Sequence, residues 1–181
     1  MTLESKARQT NLRRLEWFVM IAGIAVLMTV FMRRAERLEA EMERTAYDLT
    51  VRNLRTELVM FETGHRISGR MADLATAAAG NPVGVVFMEP TGYAGAFDGD
   101  RPERVRPGQW YYDNKGRYLV YRVNHSRYFR SELPGVERIR LRVELKYRDQ
   151  NGNGGYDAAD QVLGIAMTAA DRHEWLQTAK D

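Results

Sequence analysis

The chain has 181 residues, with 27 Lys and Arg side chains against 24 Asp and Glu, so its formal net charge is +3. Apolar residues make up 44% and charged residues 28%, which is too balanced for a disordered tail and too polar for a polytopic membrane protein. The sequence has no cysteine, which excludes disulfide scaffolds, thiolate metal centres and cysteine nucleophiles.

The most apolar segment lies near the start of the sequence. Residues 17–32 read WFVMIAGIAVLMTVFM, without charge or proline, between arginine pairs at positions 13–14 and 33–34. At 1.5 Å per residue this run covers roughly 24 Å, a little less than the ~30 Å hydrocarbon core of a bilayer. A buried helix of a soluble protein keeps a polar side, and this run has none. We therefore predict a transmembrane helix over 17–32, with a cytoplasmic segment over 1–16.

The orientation does not follow from charge, because the basic residues on the two sides of the run balance. Residues 33–63 are rich in Ala, Glu, Leu and Arg and contain neither proline nor glycine, which predicts an amphipathic extension of the same helix. The alternative is a short anchor, a hinge and a separate helix. Two apolar stripes at helical spacing suggest partners on more than one side: Ala35, Leu38, Met42, Ala46 and Leu49, and Tyr47, Val51, Leu54, Leu58 and Phe61.

Residues 64–181 are predicted to form an α+β globular part. We expect a short helix over 70–79 with Ser68 as its N-cap, a brief strand over 85–88, and an exposed tail helix around 171–174. Strands are predicted over 109–112, 117–123, 137–148 and 162–168, with a hairpin turn at 113–116. The apolar face of such a sheet needs a cover. The predicted fold class is therefore α+β, with a long N-terminal helix, transmembrane in its first half, packed on a small antiparallel sheet.

The strand over 137–148 alternates apolar and polar residues along its whole length, so one face is expected to be buried and the other solvated. Its polar face could bind phosphate or anionic lipid, or could be a solvated face that resists aggregation. We favour the solvated face and expect no nucleic-acid partner, because no RNA-binding aromatic platform or helix-turn-helix accompanies it. The basic residues concerned are Arg138, Arg140, Arg142, Lys146 and Arg148.

This layout resembles the type IV pilins and type II secretion pseudopilins, in which a long helix starts in the membrane and continues across a small sheet. The segment GQWYYDNKGRYLVYRV over 108–123 is also similar to a hairpin of some pilin-like proteins. The resemblance implies a pilin-like structural subunit in the inner (cytoplasmic) membrane, single-pass, with its C-terminal domain periplasmic or otherwise extracytoplasmic. The implied partners are the lipid bilayer and other pilin-like subunits.

The family's processing motif places a glutamate at the fifth position of the mature chain, and Glu16 matches it. Leu12 would then be the first mature residue, and Asn11 stands where the family has glycine. The resemblance implies that Glu16 neutralises the N-terminus of a neighbouring subunit; alternatively, Glu16 lies at the headgroup level and caps the start of the helix. The missing glycine favours a second interpretation, a bitopic accessory subunit or assembly factor of a larger membrane complex.

The loop after the long strand fits the spacing of a twelve-residue calcium loop. Oxygen-bearing side chains occupy places 1, 3, 5, 9 and 12, glycine occupies place 6, and place 7 offers a backbone carbonyl. The alternative is a long hairpin loop without metal. Pseudopilins carry calcium in a C-terminal loop, so the resemblance also favours Ca²⁺. The candidate ligands are Asp149, Asn151, Asn153, Gly155, Asp157 and Asp160.

Catalysis is not predicted. His65, His125 and His173 lie in different predicted elements, and no motif of a nucleotide-binding, serine or metallohydrolase site occurs in the sequence. Ser126 is adjacent to His125 in sequence, which is not the geometry of a catalytic triad. We therefore expect a structural protein and not an enzyme.

Overall fold

The computed structural model describes the backbone of residues 3–176 and the side chains of residues 16–176. Two helices, α1 (Leu3–Ile67) and α2 (Asp73–Ala79), precede the strands. The strands are β1 (Tyr93–Phe97), β2 (Trp110–Asp113), β3 (Tyr118–Arg122), β4 (Phe129–Ser131), β5 (Arg138–Arg148), β6 (Gln161–Ala169) and β7 (His173–Trp175). The chain divides into two compact units, Met1–Glu41 and Met42–Asp181.

The first unit contains the N-terminal part of α1. Residues 17–32 are helical throughout, and all of their side chains are exposed. Within the described residues, this is the one helix that is long and apolar enough to cross a membrane. The sequence-based prediction of an uninterrupted helix over 17–63 is confirmed, and the helix ends four residues later, at Ile67.

The second unit is built on a five-stranded sheet in the order β1-β2-β3-β5-β6. Strand β1 runs parallel to β2, and the other neighbouring pairs are antiparallel. Strands β4 and β7 form a separate antiparallel pair. The predicted strands over 109–112, 117–123, 137–148 and 162–168 correspond to β2, β3, β5 and β6, so the sheet is mostly antiparallel as expected.

The core of this unit lies between one face of the sheet and one side of α1. The ring of Tyr47 stacks on that of Trp110 with 5.6 Å between centroids and 5° between planes. Since burying a large apolar side chain contributes about 1.5–3 kcal/mol, this layer is the main source of the unit's stability. The helix side consists of Tyr47, Val51, Leu54 and Leu58, and the sheet side of Trp110, Tyr112, Leu119, Tyr121, Ile139, Leu141, Val143, Ile165 and Met167. The predicted packing of helix on sheet is confirmed.

The predicted short helix over 70–79 is present as α2, but three local details were wrong. The helix begins at Asp73, and Ser68 is not its N-cap but donates hydrogen bonds back to Gly64 and His65 at the end of α1. Residues 85–88 form no strand, and the first strand is β1. Instead of the predicted tail helix, the chain forms strand β7, which pairs with β4. Trp175 of β7 packs against the core.

The turn between β2 and β3 occupies 114–117, one residue later than predicted. Arg117 has a φ of 56°, a left-handed conformation that is uncommon for a residue with a side chain. Gly116 packs so closely against Asp113 and Tyr118 that a β-carbon there would displace both side chains. This turn therefore requires glycine at 116 for space.

Candidate functional site

Glu43 on α1 is the centre of a buried polar cluster at the end of β3. Its Oε1 accepts hydrogen bonds from the Tyr121 hydroxyl at 2.9 Å and from the backbone N–H of Asn124 at 2.6 Å. Its Oε2 accepts from the backbone N–H of His125 at 2.8 Å and lies 2.7 Å from Nδ1 of the same residue. The Glu43 side chain is only 7% exposed. A charged group this buried is stable because it is hydrogen-bonded on both oxygens.

The tyrosine in this cluster is held neutral. Burial, together with the nearby charge of Glu43 and its hydrogen bond, raises the pKa of Tyr121 well above its ordinary value. The cluster therefore fixes α1 to the β3 end of the sheet through a neutral donor and an anionic acceptor. No local pattern predicts the pairing of Glu43 with His125, because the two residues are 82 positions apart.

The opposite side of α1 carries an exposed apolar stripe. Met42, Leu49, Met60 and Ile67 are separated by seven, eleven and seven residues, close to two or three turns of helix, so they share one face. Their exposed fractions are 58%, 58%, 59% and 84%. This outer stripe lies on the side of the helix that faces away from the sheet. Apolar side chains that recur on one helix face at this spacing are suited to packing against another helix, although polar Asn53 and Thr56 lie on the same face between Leu49 and Met60.

The loop 149–160 connects β5 and β6 and is held by its own side chains. Asp149 accepts backbone hydrogen bonds from Gly152 at 2.6 Å and from Gly154 at 2.9 Å. Asp157 accepts from the side-chain amides of Asn151 and Asn153 at 2.7 and 2.6 Å. These bonds hold the pKa of both carboxyls below the usual range. The largest effect comes from the Gly154 N–H for Asp149 and from the Asn151 side-chain amide for Asp157.

The remaining candidate ligands also form hydrogen bonds within the loop. Asp160 accepts hydrogen bonds from the backbone N–H groups of Gln150 and Asp157, each at 3.0 Å. Asn153 accepts from the backbone N–H of Gly155 at 2.7 Å. Within the described residues, no three acidic or histidine side chains are close enough together to hold a metal ion. A cation here would therefore draw on amide and backbone oxygens as well as on carboxylates, which is the donor mixture that calcium accepts.

The two residues predicted to act in assembly lie near the start of α1. Glu16 is in the helix and its side chain is exposed. The side chain of Leu12 lies outside the described residues. Neither residue has a described contact that distinguishes a neutralising role from a capping role.

The three histidines do not meet. His65 lies near the end of α1, with Nδ1 2.9 Å from the carbonyl oxygen of Phe61. His173 lies in β7, where its ring stacks on that of Phe129 at 5.8 Å between centroids. His125 is the histidine bound to Glu43, and the neighbouring Ser126 begins a short 3-10 helix.

The basic face of β5 is less open to solvent than predicted. Arg138 is 8% exposed and forms an ion pair with Asp100 at 2.7 Å, because the segment after β1 folds over this part of the sheet. Arg140 pairs with Asp171 at 2.6 Å. The guanidinium groups of Arg140 and Arg142 lie 4.6 and 4.5 Å from the centroid of the Tyr118 ring. The expectation of a solvated face is thus wrong for Arg138, whose partner is 38 positions away in sequence.

Comparison of the chain with protein-family models, with curated proteins and with solved structures finds no significant match.

Proposed function

We propose that this chain is a membrane-anchored, pilin-like structural subunit or minor component of a type IV pilus or type II secretion machine. The observation that carries the proposal is the outer stripe of Met42, Leu49, Met60 and Ile67 on α1, the helix that also contains the apolar run 17–32. A helix with one face buried against its own sheet and the other face apolar and exposed is suited to lateral packing on further helices.

The mechanism is assembly rather than chemistry. The apolar run anchors the chain in the inner membrane as a single span, and the second unit lies outside the cytoplasm. Ala22, Gly23 and Ala25 in the run are small and permit close approach of a neighbouring helix in lipid. In this proposal Glu16 neutralises the N-terminus of a neighbour when Leu12 is the first residue.

Calcium is part of the same proposal. The loop 149–160 would hold Ca²⁺ through the side chains of Asp149, Asn151, Asn153, Asp157 and Asp160 and the backbone carbonyl of Gly155. The existing hydrogen bonds of Asp149 and Asp157 favour their anionic forms, which are the forms that bind a cation. The ion would stiffen the β5–β6 connection, and its affinity would be of the weak extracellular kind, Kd ~10⁻⁴ to 10⁻³ M.

A second candidate function is a bitopic accessory subunit or assembly factor of a larger membrane complex. Asn11, where the pilin motif has glycine, favours it. Mass spectrometry of the N-terminus in isolated membranes separates the two. A chain that starts at Leu12 with a methylated amine supports the pilin-like subunit, whereas an intact Met1 supports the accessory subunit.

The outer stripe is tested by crosslinking, for which the cysteine-free sequence is a clean background. Leu49→Cys in native membranes is expected to form disulfides with a second chain carrying a cysteine at the same position. Arg142→Cys on the exposed face of β5 is the matched control and is expected to stay unlinked. Equal crosslinking at both positions, or none at Leu49→Cys, contradicts assembly through the stripe.

A further inference from the structure

Strand β6 is the last strand of the five-stranded sheet, so one of its two edges has no neighbouring strand among residues 3–176. Its sequence, QVLGIAMTA, has no charged residue and no proline over nine residues. Natural edge strands are normally protected from pairing with other chains by charge, proline, shortness, a β-bulge or a covering element, and β6 has one bulge, at Leu163. β6 has neither of the first two, and at about 3.3 Å per residue it extends for roughly 30 Å.

The free edge of β6 is covered by side chains of α1. Arg66 Nη2 donates a hydrogen bond to the carbonyl of Leu163 at 2.9 Å, and Arg55 Nε donates to the carbonyl of Met167 at 3.2 Å. Between them, the backbone N–H of Ile165 donates to Glu62 Oε2 at 3.2 Å. Ile165 and Met167 are two residues apart, so their backbone groups face the same edge, and at the bulge the carbonyl of Leu163 also faces α1.

The three helix residues form one row, since positions separated by seven and eleven residues lie on one side of a helix. Along the strand, Arg66 donates to a carbonyl, Glu62 accepts from an N–H group, and Arg55 donates to a carbonyl. Donors and acceptors therefore alternate along the row. This is the alternation that another strand would offer to the edge. Glu62 also forms an ion pair with Arg66 at 2.6 Å, which holds the middle of the row in place.

We propose that the row Arg55–Glu62–Arg66 closes the β6 edge against strand addition by a second copy of this chain. The sequence of β6 favours a second copy of this chain as the partner. An uncharged, apolar strand pairs antiparallel with an identical strand about a twofold axis, without like-charge repulsion. The closure is separate from the outer stripe, because the row contacts the sheet edge and the stripe faces away from the sheet.

The test uses the full chain in detergent micelles. The variant Arg55→Ala/Glu62→Ala/Arg66→Ala is expected to form dimers or larger species by light scattering. Hydrogen exchange at Ile165 and Met167 is expected to slow on association, because a second strand then protects the edge. The matched control is Arg52→Ala, which removes an exposed arginine one turn earlier on the same helix. It is expected to keep the mass of the parent chain.

A rescue variant separates edge pairing from nonspecific association. Leu163, 43% exposed on β6, is replaced in the triple variant by lysine, which places a charge on the edge strand. The expected result is a return to the mass of the parent chain. Association that Leu163→Lys does not reverse, or a triple variant that keeps the parental mass, overturns the proposal.

A milder variant covers the case in which the triple variant fails to fold. Glu62→Ala alone removes the acceptor of the Ile165 N–H while Arg55 and Arg66 remain. Glu62→Ala is expected to associate measurably and to speed exchange of the Ile165 amide in the monomer. An Ile165 amide that exchanges as slowly as in the parent chain, with no association, contradicts the closure.

Discussion

Tyr121 donates its hydroxyl hydrogen bond to Glu43, which joins the middle strand of the sheet to the helix that covers it. The same carboxylate binds the backbone N–H groups of Asn124 and His125, so a single side chain holds the helix, the strand and the following turn together. The interaction is local in space and distant in sequence, which makes it specific to the folded unit.

Replacement of Glu43 by alanine is expected to destabilise the second unit by about 2–3 kcal/mol, because it leaves the buried Tyr121 hydroxyl and the half-buried His125 N–H without an acceptor. Chemical unfolding of the detergent-solubilised chain, followed by Trp fluorescence, measures the loss. The control is Asp48→Asn, which removes half of an exposed pair with Arg44 whose atoms are 4.0 Å apart. Such surface pairs contribute little, so the control is expected to change stability by less than about 0.5 kcal/mol. Equal effects of the two variants would contradict the role assigned to Glu43.

The alkaline stability of the chain is expected to depend on Tyr121. Its pKa is raised in the folded state, first by burial and then by Glu43, so the unfolded chain ionises this phenol at a lower pH than the folded chain does. The stabilising contribution is therefore complete below about pH 10, the ordinary pKa of tyrosine, and is lost as the pH rises above it. Tyr121→Phe should make the decline of the melting temperature above this pH less steep. A decline of unchanged steepness would show that the phenol does not contribute.

Asp171 is expected to stabilise the fold on the other side of the pH scale. Two hydrogen bonds from Arg140, at 2.7 and 2.6 Å, lower the pKa of its carboxyl, and the charge of Arg140 adds to the effect. The contribution is present above the unfolded pKa of about 3.9 and is lost as the pH falls below it. Asp171→Asn should therefore lower the melting temperature more at pH 6 than at pH 2. A deficit of the same size at both pH values would point to lost packing instead.

Calcium is expected to raise the melting temperature if the loop 149–160 binds it. At 10 mM Ca²⁺ and a Kd of ~10⁻⁴ to 10⁻³ M, the added stability would be about 1–3 kcal/mol. Asp149→Ala should abolish the shift, and 10 mM Mg²⁺ should produce a smaller one because Mg²⁺ needs a tighter octahedral site. No shift of the parent chain at millimolar calcium would end this proposal.

The regular elements could be predicted because their signals are local. Alternation of apolar and polar residues sufficed for β5, and the absence of proline together with the helix-forming composition of 33–63 sufficed for the long helix. The predicted strand over 85–88 was wrong because the backbone N–H groups of Phe87 and Met88 are held by Glu57 on α1 at 2.6 and 3.3 Å. A distant carboxylate that binds these groups leaves no trace in a local pattern.

The polar contacts could not be predicted for the same reason. Arg138 was expected in solvent because it alternates with apolar residues, yet Asp100 reaches it from a loop that covers this face of the sheet. The capping of the β6 edge likewise joins positions 97 to 112 residues apart. The calcium loop is different, because its spacing is readable in the sequence, and it remains a prediction.

The long helix is synthesised before the strands that cover it. Tyr47, Leu54 and Leu58 leave the ribosome well before the strands on which they pack, the last of which ends at Trp175. For the time needed to make about one hundred further residues, at roughly 5–20 residues per second, this apolar face of the helix has no sheet to pack against. During those seconds the uncovered surface is open to a chaperone or to the bilayer surface, and a chain truncated before β6 is expected to lack part of the core that covers α1.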